Sequence, residues 1–416
     1  MKVLLVSDYF YPFTPGGSEW SVYELAETLK TNGDEPIVVS INYGDKDSEV
    51  FHGIQIIRIP FIKKITKVRS TINPIWQNNP LFFLMSAYYL YKFTKEKRPD
   101  VINVHGKFLI PGSIIAGYFT KKPVIVTIRD KQILCPIGKC FFNSKRLKAC
   151  SFFEYLTSDF PWFSKNYTNG SLISIAYALA GTVWSRIAGN IIKIFAKQAH
   201  SITTISNSQK HYLETNGFRN VKVIYNTANF KTTQSRASKS KTVLFVGKLS
   251  KGKGVELLLD TAEQIVKTHN VKFIFAGSNQ SKVIKNRLNQ KSLNAHVKLL
   301  GGVEHRKLPK LYRRSSCVIM PSIYPESFGR SALESLSFGT PVVVTNTGAL
   351  PEIVDNKITG RISEPSVASL KEAILDVLEN EEKYRNNIIK KYHFLREKFM
   401  LKPTHDYLAL YKASIQ

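Results

Sequence analysis

The chain has 416 residues, of which 43% are hydrophobic and 12% aromatic; this excludes a disordered chain and predicts a folded protein of two domains. Subtracting 31 acidic from 59 basic residues leaves a formal charge of +28, which implies an anionic partner: nucleic acid, membrane headgroups or a phosphorylated substrate. Four cysteines over this length argue for a reducing compartment and against a disulfide scaffold.

The opening MKVLLVSDYF has five apolar residues before Ser7 and Asp8, too few for a secretory signal. KVLLVS reads as a strand, and the loop DYFYPFTPGGSEW leads into a helix whose Val22, Leu25, Ala26 and Leu29 share a face. Gly16 and Gly17 allow backbone amides to approach a phosphate at that helix N-terminus; a tight turn before an N-cap serine explains them equally well. EPIVVSI, DVINVHG, PVIVTIRD and HSITTIS continue the alternation of strand and helix that predicts an α/β fold with a doubly wound parallel sheet. His105, Arg129 and Asp130 fall at carboxyl ends of strands, where such folds bind ligands.

Interruptions of this pattern are basic and aromatic. From Arg58 to Arg98 nine Lys or Arg (58, 63, 64, 67, 69, 92, 95, 97, 98) face one acid, Glu96, with aromatics interleaved over 76–93. The segment suits an anionic membrane surface, or else a helix with a buried aromatic face and a wet lysine face. LISIAYALAGTVW (172–184), at 13 residues, is too short to span a bilayer and reads as a buried or interfacial helix. Cys135, Cys140 and Cys150 lie within 16 residues without a fourth ligand nearby, so free thiols are the default over a metal site or disulfide pairing.

KTTQSRASKSK has no periodicity and reads as a linker. A second series follows, with strands in KTVLFVG, VKFIFAG, HVKLLGG, CVIMPS and TPVVVTN and helices near 254–268, 280–291, 305–314 and 328–338. The expected domains are 1–228 and 241–395, with a last helix over 396–416 crossing back to the first; ligands would lie in a crevice at the carboxyl ends of both sheets. GKLSKGKG fails the Walker and dinucleotide patterns, yet it places Lys248 and Lys253 at a strand-to-helix turn where they can neutralise a diphosphate. In PESFGRSALE, Glu326 and Glu334 are eight positions apart, and Ser331 with Glu334 has the spacing of a capping box.

Together, PESFGRSALESLSFGTPVVVTNTGALPEIV (325–354), GKLSKGKG, PGGSE and DVINVHG resemble glycosyltransferase family 4, retaining nucleotide-sugar enzymes of the GT-B fold, in the family's order and over nearly the whole chain. The resemblance implies that Glu326 binds donor-sugar hydroxyls and that the amides around Phe328, Gly329 and Arg330 approach the sugar and diphosphate. It places Ser331 near the phosphates and Glu334 on the ribose. Lys253 takes the diphosphate, joined by Lys248 where arginine is usual, and Gly16 and Gly17 face it. His105, with Arg129 and Asp130 replacing a common His-Asp pair, lies on the acceptor side, and Asn226-Thr227 with Asn229 departs from the usual junction motif. RDKQILCPIGKC resembles members that glycosylate lipid-linked saccharides.

The expectation is a retaining hexosyl transfer from a nucleoside diphosphate sugar to a glycan or lipid-linked hydroxyl, without a metal or other cofactor. The acceptor proton would pass to the departing diphosphate, by a cytoplasmic protein peripheral on the inner face of the cell membrane. A nucleotide-sugar epimerase of the same fold is the enzymatic rival, and a basic nucleic-acid-binding protein the rival of another class, although no nucleic-acid recognition motif is present.

Overall fold

The structure, a computed structural model, describes residues 1–65, 72, 74–134, 148–167, 170–228, 230, 240–278, 287 and 291–416. Cys135, Cys140, Asn229 and all but residues 287 and 291 of the expected 280–291 helix lie outside them. The chain divides into two compact units, Met1–Thr227 with Pro403–Gln416, and Ala228–Lys402.

In the first unit, β1 (Lys2–Ser7), β2 (Glu35–Ile41), β3 (Ser48–Phe51), β4 (Ile54–Ile59), β5 (Val101–Val104), β6 (Val124–Ile128), β7 (Ser201–Thr204) and β8 (Lys222–Val223) form one sheet. Its order is β3-β4-β2-β1-β5-β6-β7-β8, with every pair parallel except β3 with β4. Helices cover both faces, so Val3 to Val6 are all fully buried; this is why the strands read as unbroken apolar runs. β3 and β4 escape the sequence pattern because SEVF alternates in exposure, and His52 and Gly53, both at positive φ, turn the hairpin in place of a familiar Asn-Gly. β8 is only two residues long.

The second unit holds β9 (Thr242–Val246), β10 (Lys272–Ala276), β11 (Val297–Gly301), β12 (Cys317–Met320), β13 (Val342–Thr345) and β14 (Gly360–Ser363), all parallel in the order β11-β10-β9-β12-β13-β14. In each sheet one strand is flanked by neighbours reached in opposite directions: β1 lies between β2 and β5, and β9 between β10 and β12. Loops leaving such a switch point diverge and open a crevice at the carboxyl ends.

The last helix, Lys402–Ile415, buries Tyr407, Leu410 and Tyr411 against Val3, Leu5 and Val22 of the first unit. Asn103 Nδ2 donates to the Tyr411 hydroxyl at 2.6 Å, Thr127 Oγ1 to Asn103 Oδ1 at 2.9 Å and Thr203 Oγ1 to Thr127 Oγ1 at 2.8 Å, a polar ladder across β5, β6 and β7.

Two expectations about the basic and apolar segments are corrected. Arg58 does not face a membrane: it is 2% exposed on β4, paired with Glu49 and Asp45, and it donates to the carbonyls of Lys46 and Tyr11. The 13-residue apolar stretch is the start of a 25-residue helix, Leu172–Ala196, which is long and apolar enough to cross a membrane, with 28% of its apolar window buried. Small residues explain its packing. Ala178, Gly181, Thr182, Ser185, Ala188 and Ala196 recur at helical spacing on the buried face, and Ala188, Ile192 and Ala196 join the core of the first unit.

Candidate functional site

In the second unit the loops after β9 and β12 converge on Glu326. The loop after β9 ends in a turn, Lys251–Lys253, closed by Gly254 at φ 69°; a Cβ there would lie 1.7 Å from the Pro321 carbonyl oxygen, so a side chain would push the two loops apart. The amides of Ile323 and Tyr324 donate to the Gly252 carbonyl at 3.1 and 3.3 Å and join the loops. Lys253 Nζ then donates to both carboxylate oxygens of Glu326, at 2.7 and 2.8 Å, and Ser322 Oγ donates to Oε1 at 2.5 Å. The main chain of Glu326 is fixed by Gly348: the Ala349 amide donates to the Glu326 carbonyl at 2.9 Å, and a Cβ on Gly348 would meet that oxygen at 2.2 Å.

Glu334 sits one helix turn into Arg330–Ser337 in a separate polar network. Arg330 donates to Oε1 from Nη2 at 2.8 Å and from Nε at 3.2 Å, His305 Nε2 lies 3.2 Å from the same oxygen, and the Tyr312 hydroxyl donates to Oε2 at 2.7 Å. Burial would raise the pKa of this carboxyl; Arg330, His305 and Tyr312 outweigh it and hold the group down to about 2. Burial, then the negative charge of Glu334, pushes the Tyr312 phenol well above its ordinary value.

The capping-box expectation is overturned. Gly329 is the N-cap, at φ 143° and without a side-chain cap, while Ser331 Oγ donates to the Val246 carbonyl of β9 at 3.0 Å and ties the helix to the sheet. Phe328 is buried, with its ring edge-on to Phe399 at 6.3 Å between centroids, so this side chain anchors the loop. Lys248 is exposed and, among the described residues, pairs with no carboxylate. Ser322, His305, Tyr312 and Gly348 were not found from sequence, where only their position after a strand or in a turn marks them.

In the first unit β1, β5 and β6 end around a cleft of about 250 Å3 lined by Asp8, Glu19, His105, Lys107, Arg129 and Asp130 among others. Arg129 Nε and Nη2 lie 3.1 and 3.0 Å from His105 Nδ1, and its Nη1 donates to Asn226 Oδ1 at 2.5 Å. Burial, then the Arg129 charge, holds the His105 imidazole well below its ordinary pKa, so the ring is neutral. Desolvation raises the carboxyl groups of Asp8, to about 7, and of Glu19 and Asp130. Gly16 lines the same cleft, but its amide donates to Glu19 Oε2 at 3.0 Å; Gly17, at φ −98°, is the uncapped N-cap of helix Ser18–Thr31. Cys150 is half-buried, and among the described residues no group of His, Cys, Asp and Glu is arranged to hold a metal ion.

Known proteins share both halves. A family profile described as "Glycosyltransferase Family 4" matches residues 15–148, and one described as "Glycosyl transferases group 1" matches residues 227–393. An uncharacterized glycosyltransferase of Methanocaldococcus jannaschii is 27% identical over 369 residues, covering 86% of this chain and 84% of its own length. The phosphatidylinositol N-acetylglucosaminyltransferase gpi3 subunit of Schizosaccharomyces pombe is 23% identical over 385 residues, covering 90% and 72%. Among solved structures, Anabaena HepE in complex with UDP and glucose superposes with a TM-score of 0.69 at 19% identity, covering 100% of both chains. The chain is therefore a glycosyltransferase of the GT-B fold, with a family 4 domain over residues 15–148 and a group 1 domain over residues 227–393.

Proposed function

We propose that this glycosyltransferase moves a hexose from a nucleoside diphosphate sugar to a hydroxyl acceptor with retention of anomeric configuration, and without a metal ion. The observation that carries the reading is the Glu326–Lys253 pair, an acid and a cation held by one pair of loops at the switch point of the second sheet. The carboxylate is an acceptor for two sugar hydroxyls; the ammonium is a point charge for a diphosphate. Lys248 beside the same turn, and the uncapped helix N-terminus at Gly329, add positive potential where charge develops on the leaving group. Arg330 and His305 hold Glu334 ionised, which suits it to accept hydrogen bonds from a ribose. HepE, which shares the fold, is described in complex with UDP and glucose and with UDP-glucose.

The acceptor in this reading is a glycan or a lipid-linked saccharide, met at the inner face of the cell membrane. Helix Pro80–Lys97 turns outward a single stripe of Leu81, Leu84, Tyr88, Lys92 and Lys95, the first three 73%, 64% and 61% exposed. Helix Leu172–Ala196 exposes Leu172, Ile173 and Tyr177. Apolar side chains backed by lysines suit an anionic headgroup boundary, and the fission-yeast relative is named for work on a phosphatidylinositol.

A thermal-shift series with nucleoside diphosphates and their sugars tests the donor, and NMR of the product's anomeric centre tests retention. Conversion of the donor sugar without any acceptor would favour an epimerase, and an inverted product would overturn the stereochemistry.

A further inference from the structure

The helices Pro80–Lys97, Ile110–Thr120 and Leu172–Ala196 lead into the amino ends of the parallel strands β5, β6 and β7, so their last turns lie along one edge of the first sheet. Along this edge, opposite the carboxyl ends, runs a groove of about 750 Å3 lined by Tyr118, Phe119, Lys121, Lys122, Phe195 and His200 among others. Two helix-to-strand turns lying side by side create it. The first is abrupt: Lys121 caps its helix at φ 54°, the Lys122 amide returns to the Gly117 carbonyl at 2.9 Å, and a Cβ on Gly117 would meet Val124 Cγ2 at 2.2 Å. In the second, the His200 amide donates to the Val124 carbonyl at 2.9 Å.

The groove is amphipathic, and its charge is of one sign. Tyr118 and Phe119 are 80% and 66% exposed, a large aromatic surface to leave in water. Phe119 meets Tyr91 edge-on at 6.5 Å between centroids, and Lys95 Nζ lies 4.8 Å from the centre of the Tyr91 ring, so rings and cations continue onto helix Pro80–Lys97. Lys121 and Lys122 supply the positive charge; among the described residues no Asp or Glu lines the groove, and Glu96 on the neighbouring helix is paired with Lys97 at 2.8 Å. Two helices end here, and each carbonyl end opposes an anion with about half a charge; two full lysine charges exceed that sum. A bare anion would leave Tyr118 and Phe119 in water, and an uncharged lipid would leave the lysines without a counter-charge. The volume lies within the range of small-molecule sites.

We infer that this groove seats one anionic phospholipid of the membrane, with its phosphate against Lys121 and Lys122 and its glycerol and upper chains against Tyr118, Phe119 and Phe195. The inference rests on the membrane reading given above and adds a second attachment to it. Leu81 and Leu84, with Leu172 and Ile173, begin the helices whose last turns frame the groove, so holding both ends lays the flank of the first unit along the membrane.

The test uses the full chain, deuterated and 15N-labelled, titrated with dihexanoyl phosphatidylglycerol below its critical micelle concentration, and separately with dihexanoyl phosphatidylcholine and inorganic phosphate. The phosphatidylglycerol is expected to shift the amide resonances of Lys121, Lys122 and His200 and to saturate. Lys121→Asn with Lys122→Ser, and Tyr118→Ser with Phe119→Ser, should each weaken it about tenfold or more, whereas Leu81→Ser with Leu84→Ser should bind within twofold of the parent. The inference is overturned if phosphatidylglycerol leaves those amides unmoved, if phosphatidylcholine binds within twofold of it, if inorganic phosphate reproduces the shifts, or if both groove variants bind like the parent. Should the lysine pair not fold, Lys121→Asn alone and the parent's choice between the two lipids decide the matter. Cosedimentation with anionic vesicles separates the two readings: vesicle binding without binding of the monomeric lipid removes this inference alone, and absence of vesicle binding by the parent removes the membrane reading.

Discussion

Glu326 and Lys253 are 73 positions apart, and their contact exists because Gly252, Gly254 and Gly348 let three loops lie within van der Waals reach of each other. Replacing either partner by alanine is expected to lower kcat/KM by about 10²–10³ with little change in fold, the scale of one lost transition-state contact; steady-state kinetics beside far-UV circular dichroism checks it, and near-normal turnover in both variants would sink the assignment. Asp8 gives a pH prediction of defined sign. Its folded pKa is raised from 3.8 to about 7 by burial, so the protonated form favours folding below the unfolded value, and this contribution is lost as pH rises through about 7. Asp8→Asn keeps an acceptor for the Phe108 amide without the buried charge. It should therefore melt a few degrees above the parent at about pH 8, with the gain vanishing near pH 4. His105, Glu19, Asp130 and Lys107 are common to both proteins, so the difference isolates Asp8. Of these groups, sequence order reveals those in a spaced motif or at a recognised strand end. Asp8 and Glu19 were missed because their meaning comes from Phe108, 100 positions away, and from Gly16 across a turn.

At the scale of elements, helix Pro80–Lys97 shows why composition alone left two readings open. Its aromatics divide: Phe82 and Phe83 are buried, while Tyr88 joins Leu81 and Leu84 on the outer stripe, so neither a wholly buried aromatic face nor a purely wet lysine face describes it. If the stripe meets lipid, binding to vesicles containing anionic lipid should fall with salt yet keep an apolar, salt-resistant part. Leu81→Ser with Leu84→Ser should remove the resistant part, and Lys92→Ser with Lys95→Ser the salt-sensitive one; cosedimentation at low and high salt separates the two, and unchanged binding by both pairs would discard the stripe. In the second unit, helix Glu381–Lys390 carries a buried ion pair. Arg385 and Glu381 are each 2% exposed, Nε donates to Oε1 at 2.9 Å, and Nη2 donates to the Ser315 carbonyl at 2.5 Å. Arg385→Ala removes a buried donor from that carboxylate and from the Ser315 and Gly339 carbonyls and should cost about 3–5 kcal/mol, read by urea unfolding. Removing Glu381 as well should restore part of the loss.

Across the whole molecule, the alternation of apolar runs with amphipathic segments was enough to anticipate two doubly wound sheets, because parallel strands buried on both faces cannot hide their composition. Edge elements escaped: β14 is GRIS, half-buried and carrying an arginine that pairs outward with Asp376 and Glu372, and β3 alternates with solvent. The last helix follows a different rule, since the chain leaves the second unit after Lys402 and completes the first. Tyr407, Leu410 and Tyr411 are 4%, 6% and 0% exposed against β1, and each such side chain contributes roughly 1.5–3 kcal/mol by burial. Losing all three removes an amount comparable to the whole stability of an ordinary domain. A chain stopped after Lys402 is therefore expected to lose the cooperative unfolding transition of the first unit while the second still melts. Because Lys248, Lys253, Glu326 and Glu334 all lie in the second unit, UDP at about 100 times its Kd should still stabilise that remaining transition, by about 2.7 kcal/mol. Scanning calorimetry of both chains with and without UDP makes the comparison. If truncation abolished both transitions together, the two units would not be independent folding units; if the second survived but no longer responded to UDP, the donor site would depend on the first.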